Sequence, residues 1–221
     1  MNLPRGGPEP DAAGFVLAGG QSSRMGEDKA TAPFAGQNLV ERALGILREA
    51  GLPAAVAGAR SSLVVSGQVI ADREPGLGPL SGICAALASN PAPWAVFLPV
   101  DLPLLPAALV AYLLVRARIT RRVVTVPSVG GFAETFPVVL HRAVLPALEA
   151  ELKSGHRGCF SACEAAAASL GEAVAVVPAE LLAQSGTAAH PDALPAVCWF
   201  LNVNSRADLR RAEACLRGHF A

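Results

Sequence analysis

Short apolar runs alternate with amphipathic stretches along most of the chain. The strand-like runs of the first half are GFVLA, AAVAG, VIA and WAVFLPV. The helix-like stretches between and after them are QNLVERALGILREAG, GPLSGICAALASN and ALVAYLLVRAR. Because strands that alternate with helices build parallel sheets, this pattern predicts an α/β fold of three layers, with helices on both faces of a mostly parallel sheet.

The second half continues this pattern less regularly. VVTVP and TFPVVLH indicate strands, and AVLPALEAELKSG and SACEAAAASLG indicate helices. The stretch PAELLAQSGTAAHPDALPA is polar and rich in proline, so we predict a long mobile loop there. After it, VCWFLNV indicates a last strand, and a closing helix is expected from Arg206.

The length of 221 residues is sufficient for one substantial core. We predict a single domain over residues 13–221 after a disordered tail over residues 1–12. The N-terminal MNLPRGGPEPDAA has one arginine and no apolar segment, which fits neither a signal peptide nor a transit peptide. Although 52% of the residues are hydrophobic, no run approaches the roughly 18 apolar residues of a membrane span.

Charge and cysteine content narrow the function classes. The 18 basic residues balance the 18 acidic ones, so the chain lacks the electrostatic footprint of a protein that binds nucleic acid or an anionic membrane. The densest basic run, RITRR at residues 118–122, is expected to be a solvated loop. Five cysteines, an odd number, fit a reducing compartment such as the cytoplasm. Cys159 and Cys163 have the spacing of half a metal site, but buried thiols are the favoured interpretation.

A glycine-rich loop, LAGGQSSRMGEDK, follows the first strand at residues 17–29. Glycines let backbone N–H groups approach an anion closely, and Arg24 and Lys29 add positive charge, so the loop is a candidate phosphate cradle. It lacks both the P-loop pattern and G-x-G-x-x-G. A generic mobile loop would explain the glycines and serines, but not the Arg-Met-Gly-x-Asp-Lys that follows.

Two aspartates follow apolar runs at further strand ends. Asp72 follows VIA, and Asp101 follows WAVFLPV. In open parallel sheets ligands bind at the carboxyl ends of the strands, and a carboxylate there needs water, a cation or a donor. Magnesium beside a phosphate fits Asp101, whereas a helix N-cap is the alternative for either aspartate alone.

The loop sequence LAGGQSSRMGEDKA resembles the signature loop of nucleotidyltransferases with a Rossmann-like fold, specifically the molybdenum cofactor guanylyltransferase family. Three further stretches resemble that family's motifs in the same order. They are IADREPGLGPLSGICAAL, FLPVDLPLLP and FLNVNSRADLRRAE. The second of them has Pro99 and Val100 where the family usually has Cys or Thr. The similarity covers residues 14–219 and implies a single nucleotidyltransferase domain.

The resemblance implies a role for individual residues. Catalysis would involve Arg24, Lys29 and Asp101. The cofactor would be Mg²⁺, held by Asp101. Asn202 is included as a metal residue because it matches a position that lies near the metal in related transferases. The residues implied in nucleotide binding are Leu17, Ala18, Gly19, Gly20, Lys29, Asp72 and Asp101. Glu134, Thr135 and Phe136 align with a segment near the acceptor cleft, although Glu134 is equally well explained as a surface charge.

The same resemblance implies GTP and molybdenum-loaded molybdopterin as substrates, with molybdoenzymes or cofactor-delivery proteins as partners. The acceptor phosphate would attack the α-phosphorus of GTP and expel pyrophosphate. One departure concerns the base: family members that use GTP typically carry an Asn after the second strand, where this chain has Ala57-Gly58-Ala59. The alternatives are a cytidylyltransferase acting on molybdopterin or another small phosphate, and a non-catalytic nucleotide-binding protein.

Overall fold

The computed structural model describes residues 10–18, 29–59, 67–72, 77–155 and 158–218. These residues form ten strands. The strands are β1 (Ala12–Leu17), β2 (Pro33–Phe34), β3 (Gln37–Asn38), β4 (Ala54–Ala59), β5 (Gln68–Ala71), β6 (Trp94–Pro99), β7 (Val124–Val129), β8 (Phe132–Ala133), β9 (Val138–His141) and β10 (Ala175–Pro178). The short strands β2 and β3 form a separate antiparallel pair.

The described helices flank the sheet. They are α1 (Leu39–Glu49), α2 (Pro79–Ser89), α3 (Ala107–Thr120), α4 (Leu145–Lys153), α5 (Cys159–Ser169), α6 (Ala179–Gln184), α7 (Ala196–Trp199) and α8 (Arg206–Leu216). Two 3₁₀ turns, Lys29–Thr31 and Arg142–Val144, complete the described elements.

The main sheet has eight strands in the order β10-β7-β9-β6-β1-β4-β5, with β8 paired to β7. Strand β1 is parallel to both β4 and β6, and β4 is parallel to β5. Strand β9 runs antiparallel between β6 and β7. The predicted mostly parallel sheet is therefore confirmed, and the strand predicted at TFPVVLH runs antiparallel to its neighbours.

Strand β1 shows why the fold has three layers, since all six of its side chains are buried. Val16 belongs to the core on the side of α1 and α3, whereas Phe15 belongs to the core on the side of α2, α4 and α5. Phe15 stacks on Phe97 of β6, with ring centroids 5.3 Å apart. An apolar run buried on both faces is typical of a central parallel strand, so the predicted three-layer architecture is confirmed.

Helix α1 packs closely on β1 because Gly14 has no side chain. A Cβ at Gly14 would lie 2.9 Å from Leu47 Cδ2. Asn38 caps the helix by accepting a hydrogen bond from the Glu41 N–H, and Gly51 follows its end with a φ of +82°. The helix predicted at QNLVERALGILREAG is thus confirmed.

Two predictions for the last third of the chain are wrong. The proposed long loop contains α6, whose Ala179 and Leu182 are buried three residues apart, and β10 directly precedes that helix. The proposed last strand VCWFLNV instead begins as the short helix α7, where fully buried Trp199 donates its indole N–H to the Leu194 carbonyl at 2.8 Å. The apolar run packs as a helix because Trp199 completes the α1 side of the core rather than pairing with an edge strand.

The basic run is also partly misassigned. Helix α3 continues to Thr120, so Arg118 lies on the helix and pairs with Asp11 instead of lying in a loop. Arg121 ends the helix with a left-handed φ of 55°. Strand β1 already begins at Ala12, whereas residues 1–9 of the predicted tail lie outside the described part of the chain. The domain limits stay a prediction.

Cys159 and Cys163 are buried in α5, in agreement with the expectation of buried thiols. Burial raises the pKa of Cys159 to about 11 and that of Cys163 to about 12, so both thiols stay protonated at neutral pH. Within the described ranges no group of three or more His, Cys, Asp or Glu side chains is arranged to hold a metal. Among the same residues no helix is both long and apolar enough to cross a membrane.

Candidate active site

The carboxyl ends of four parallel strands meet at one edge of the sheet, as the strand pairing requires. Asp101 lies just beyond β6, Asp72 just beyond β5, and Leu17 and Ala57 end paired segments of β1 and β4. The Ala18 N–H donates to the Ala57 carbonyl at 3.1 Å, which extends the β1 pairing by one residue. This edge is where open α/β sheets bind ligands.

Lys29 and Asp101 form an ion pair at this edge. The Lys29 Nζ lies 2.9 Å from Asp101 Oδ2, and the two side chains are only 15% and 22% exposed. The same ammonium donates to Asn204 Oδ1 at 2.7 Å. The structure thus brings together two of the predicted catalytic residues and adds an asparagine to them.

The second oxygen of Asp101 carries information about a ligand. Oδ1 is buried and has no hydrogen-bond partner among the described residues. A buried carboxylate oxygen without a partner is costly, so its position suits a cation. The other oxygen, Oδ2, pairs with Lys29, which is distant in sequence.

The alternative role of the two aspartates as helix caps is also wrong. Helix α3 begins at Ala107 with Pro106 at the N-cap position, five residues beyond Asp101. Helix α2 begins at Pro79 with Gly78 at the N-cap position, where φ is +82°. Neither carboxylate caps the helix that follows it.

The segment before α8 carries Asn204 to the site. The Val203 N–H donates to the Asp101 carbonyl at 2.9 Å, which fixes this segment beside the end of β6. Asp208 accepts from the Asn204 N–H at 3.0 Å and from the Ser205 hydroxyl at 2.8 Å. These hydrogen bonds, the Ser205 one foremost, lower the pKa of Asp208 and keep the start of α8 in place.

Sequence reasoning named Asn202 here and missed Asn204. Asn202 is exposed and neighbours Val203, whereas Asn204 contacts Lys29 directly. The signal was present, because both asparagines belong to the N-x-N pattern of FLNVNSRADL. Spacing alone does not say which of two asparagines, two residues apart in an irregular segment, lies nearer to a partner 175 positions away.

Asp72 has a different partner. It accepts a hydrogen bond from the hydroxyl of Ser81, which is buried in the first turn of α2. The other predicted nucleotide-binding residues with described positions are Leu17, which is buried, and Ala18, which is half-buried. Gly19, Gly20 and Arg24 lie outside the described residues.

The predicted acceptor segment reaches the same edge. Because β9 is antiparallel, its first residue Val138 pairs with Phe97 near the end of β6, and Phe136 precedes it. The Glu134 N–H donates to the Pro127 carbonyl at 2.9 Å, and Glu134 is half-buried. Burial raises the pKa of the Glu134 carboxyl. The cleft placement of Glu134 stays a prediction.

Residues 57–59, where the family typically has an Asn, have little free space around them. Ala57 is fully buried, and Gly58 has a φ of +72° at an irregularity in the pairing of β4 with β5. A Cβ at Gly82 of α2 would lie 3.4 Å from Gly58 Cα and 3.4 Å from Leu17 Cδ2. Helix α2 therefore approaches the β1 and β4 ends closely, which limits the room for a larger residue at Gly82.

Comparison with known proteins gives a consistent result. A family model described as MobA-like NTP transferase domain matches residues 14–168. Over 107 residues the chain is 46% identical to the molybdenum cofactor guanylyltransferase of Xanthomonas euvesicatoria, a match that covers 46% of this chain and 52% of that protein. The chain thus spans about half the length of that relative.

Two further similarities cover more of the chain. The molybdenum cofactor guanylyltransferase of Serratia proteamaculans is 31% identical over 163 residues, which are 72% of this chain and 82% of that protein. The crystal structure of molybdopterin-guanine dinucleotide biosynthesis protein A from Archaeoglobus fulgidus superimposes with a TM-score of 0.74 at 21% identity. That superposition covers 93% of this chain and 99% of the other, and it shows a shared fold.

Proposed function

We propose that the chain, which belongs to the MobA-like NTP transferase domain family, transfers GMP from GTP to the phosphate of molybdenum-loaded molybdopterin. The products would be pyrophosphate and the molybdopterin guanine dinucleotide cofactor. The observation that carries the proposal is the Lys29–Asp101 pair at the carboxyl ends of the strands, with one Asp101 oxygen left without a hydrogen-bond partner among the described residues.

The proposed reaction is a displacement at phosphorus. An oxygen of the acceptor phosphate forms a bond to the α-phosphorus of GTP, while the bond from that phosphorus to the oxygen bridging to the β-phosphate breaks. The leaving pyrophosphate takes the electron pair of the broken bond. Such a transfer depends on alignment and charge neutralisation more than on a proton-transferring pair, which agrees with a site built around one cation and one carboxylate.

The Lys29 ammonium supplies fixed positive charge for the triphosphate. Its two partners, Asp101 and Asn204, hold it from opposite chain segments, so it is oriented before a nucleotide binds. Preorganised charge of this kind stabilises a transition state because no reorientation is needed during the reaction. Arg24 is proposed as a second phosphate contact on the evidence of the motif alone.

Asp101 is the proposed ligand for Mg²⁺, through Oδ1. One carboxylate is sufficient for a protein site of this ion, since Mg²⁺ usually takes its remaining ligands from substrate phosphates and water. A bound Mg²⁺ would neutralise phosphate charge and align the reacting oxygens. Asn202, which is exposed one residue before Val203, stays a proposed neighbour of the ion.

Binding of the nucleoside is assigned to the other side of the edge. Asp72 can accept hydrogen bonds from the nucleoside, while Leu17, Ala18 and the glycines after them would lie against its base and ribose. Because Ala57 lacks the side-chain amide that GTP-using relatives carry, we expect GTP to be preferred over CTP and ATP less sharply than in those relatives.

A binding and turnover assay with purified protein tests the proposal. The four ribonucleoside triphosphates are compared for binding with and without Mg²⁺, and GTP is then incubated with molybdenum-loaded molybdopterin while pyrophosphate is measured. We expect Mg²⁺-dependent preference for GTP and one pyrophosphate per dinucleotide formed. Preference for CTP would support a cytidylyltransferase, and nucleotide binding without pyrophosphate release would support a non-catalytic binding protein.

A further inference from the structure

Arg42, which no sequence motif singled out, contacts the segment that carries Asp101. From the first turns of α1 its Nε donates a hydrogen bond to the carbonyl of Pro103, two residues beyond Asp101. Pro103 is buried in the irregular stretch between β6 and α3. A buried carbonyl outside regular structure needs a donor, so Arg42 stabilises the path of the chain just after Asp101.

The same guanidinium contacts the segment that carries Lys29. Its central carbon lies 5.2 Å from the ring centroid of Phe34, which is fully buried. Phe34 lies five residues after Lys29, and the turn between them is closed by the hydrogen bond from the Ala32 N–H to the Lys29 carbonyl at 3.2 Å. A planar guanidinium can lie over a ring with its face while it donates hydrogen bonds from its edge.

The charge of Arg42 is balanced from outside these two segments. Burial lowers the pKa of Arg42, and the negative charges of Asp192 and Glu49 act in the opposite direction. Arginine remains charged in proteins even when it is buried, so these carboxylates offset the cost of placing the cation there. Asp192 belongs to the stretch between α6 and α7, which gives Arg42 interactions with a third part of the chain.

We propose that Arg42 is a positioning residue, which fixes the separation between the Lys29 segment and the Asp101 segment by contacting Phe34 and Pro103 at once. The functional part of this inference rests on the proposed GMP transfer, whereas its structural part does not. Lys29 and Asp101 are 72 positions apart in the chain, so their 2.9 Å contact depends on how these two segments are held. The contacts of Arg42 are with Pro103 and Phe34 rather than with the side chains of Lys29 and Asp101, so Arg42 acts through the two segments.

The test replaces Arg42 with lysine, which keeps the positive charge near Asp192 but cannot both cover the Phe34 ring and donate to Pro103. The matched control is Arg48→Lys on the same helix. Arg48 is exposed, and its Nη1 lies 3.9 Å from Glu41 Oε2. For Arg42→Lys we expect kcat to fall about tenfold and the half-saturating Mg²⁺ concentration to rise about threefold or more, since small displacements of catalytic groups are costly. The control should stay within about twofold of the parent protein in both quantities.

Amide hydrogen exchange supplies a readout that needs no activity. In Arg42→Lys we expect faster exchange at residues 30–32, at Phe34 and at Leu102, Leu104 and Leu105, and no such change in Arg48→Lys. If the parent protein transfers no GMP, the proposed function fails and the exchange data alone decide the positioning role. Faster exchange confined to α1, or a folded Arg42→Lys protein with parental kcat and Mg²⁺ dependence, would overturn the inference.

A second variant covers the case in which Arg42→Lys does not fold. Phe34→Leu keeps a buried apolar side chain but removes the ring face under the guanidinium. We again expect a higher half-saturating Mg²⁺ concentration and faster amide exchange at Leu104 and Leu105. Phe34 lies on the Lys29 segment, whereas these two leucines lie on the Asp101 segment. Unchanged exchange at those two leucines would show that Arg42 does not connect the segments.

Discussion

Asp101 and Asp72 occupy equivalent positions, each just beyond a parallel strand at the same edge of the sheet, yet their surroundings differ. Asp101 pairs with an ammonium through one oxygen and leaves the other buried without a hydrogen-bond partner among the described residues. Asp72 instead accepts a hydrogen bond from the neutral hydroxyl of Ser81. The first arrangement provides two charges of opposite sign, and the second provides one oriented acceptor.

The chemistry of a strand-end aspartate thus depends on the groups beside it. At Asp101 the neighbouring ammonium and the buried oxygen without a hydrogen-bond partner among the described residues suit a phosphate and a cation. At Asp72 a hydroxyl on the adjacent helix orients a carboxylate that can accept hydrogen bonds from a nucleoside. We therefore assign the phosphate chemistry to the β6 side of the edge and nucleoside binding to the β5 side, and the following predictions test that division.

The largest effect is expected from Asp101→Asn. The amide keeps the shape but removes the charge that would hold Mg²⁺, so GMP transfer should fall on the order of 1000-fold and should not recover at high Mg²⁺. Stability should fall by about 1 kcal/mol, because Lys29 loses a partly exposed ion partner. Turnover across a Mg²⁺ titration and urea unfolding measure the two effects.

The control for that substitution is Glu164→Gln, which neutralises an exposed carboxylate on α5. It should leave turnover unchanged. Near-parental rates in Asp101→Asn would contradict the metal role and remove the basis for separating the two aspartates.

Lys29→Ala should cost on the order of 100-fold in rate, because it removes one preorganised charge from the site. Asp101 would keep its charge but lose its ion partner, so Mg²⁺ binding should survive while phosphate stabilisation is lost. Steady-state kinetics and Mn²⁺ binding measured by electron spin resonance separate these effects. The chain's other lysine, exposed Lys153, provides the control variant Lys153→Ala, and equal rates in the two variants would refute the assignment.

Ser81→Ala should have a smaller effect and a different signature. Loss of one hydrogen bond to the Asp72 carboxylate, worth about 1 kcal/mol, should raise KM for GTP roughly fivefold with little change in kcat. Ser89→Ala on the same helix is the matched control, since the Ser89 hydroxyl donates to the Ala86 carbonyl of its own helix. A fall in kcat at constant KM would place Asp72 in the phosphate chemistry and contradict the division between Asp72 and Asp101.

The smallest effect on activity is expected at Cys163, which lies on α5 in the core on the side of α2, α4 and α5. Unfolded thiols ionise near pH 9 and the folded Cys163 thiol near pH 12, so the unfolded state loses protons first and stability falls as pH rises above about 9. Urea unfolding at several pH values should show a shallower fall in Cys163→Ala than in the parent protein. Activity at pH 7 should not change, and identical pH slopes in the two proteins would contradict the buried-thiol assignment.

Much of the architecture was determined by the sequence itself. A strand buried on both faces requires an apolar run, and a helix on the sheet requires 3.6-residue periodicity, so β1, α1, α2, β6 and α3 were all predictable. The same alternation predicted the sheet edge at which Lys29, Asp72 and Asp101 lie. The motifs named these residues because their chemistry depends on residue type and local spacing.

Other features were decided only by the tertiary structure. The apolar run at Trp199 forms a helix rather than a strand because its indole packs into the core beside α1. Local propensity does not contain information about such tertiary packing. The contacts of Lys29 with Asp101 and with Asn204 join residues 72 and 175 positions apart. Such pairings follow from the crossing of chain segments in space, so a one-dimensional pattern names the candidate groups but not the partner that each group meets.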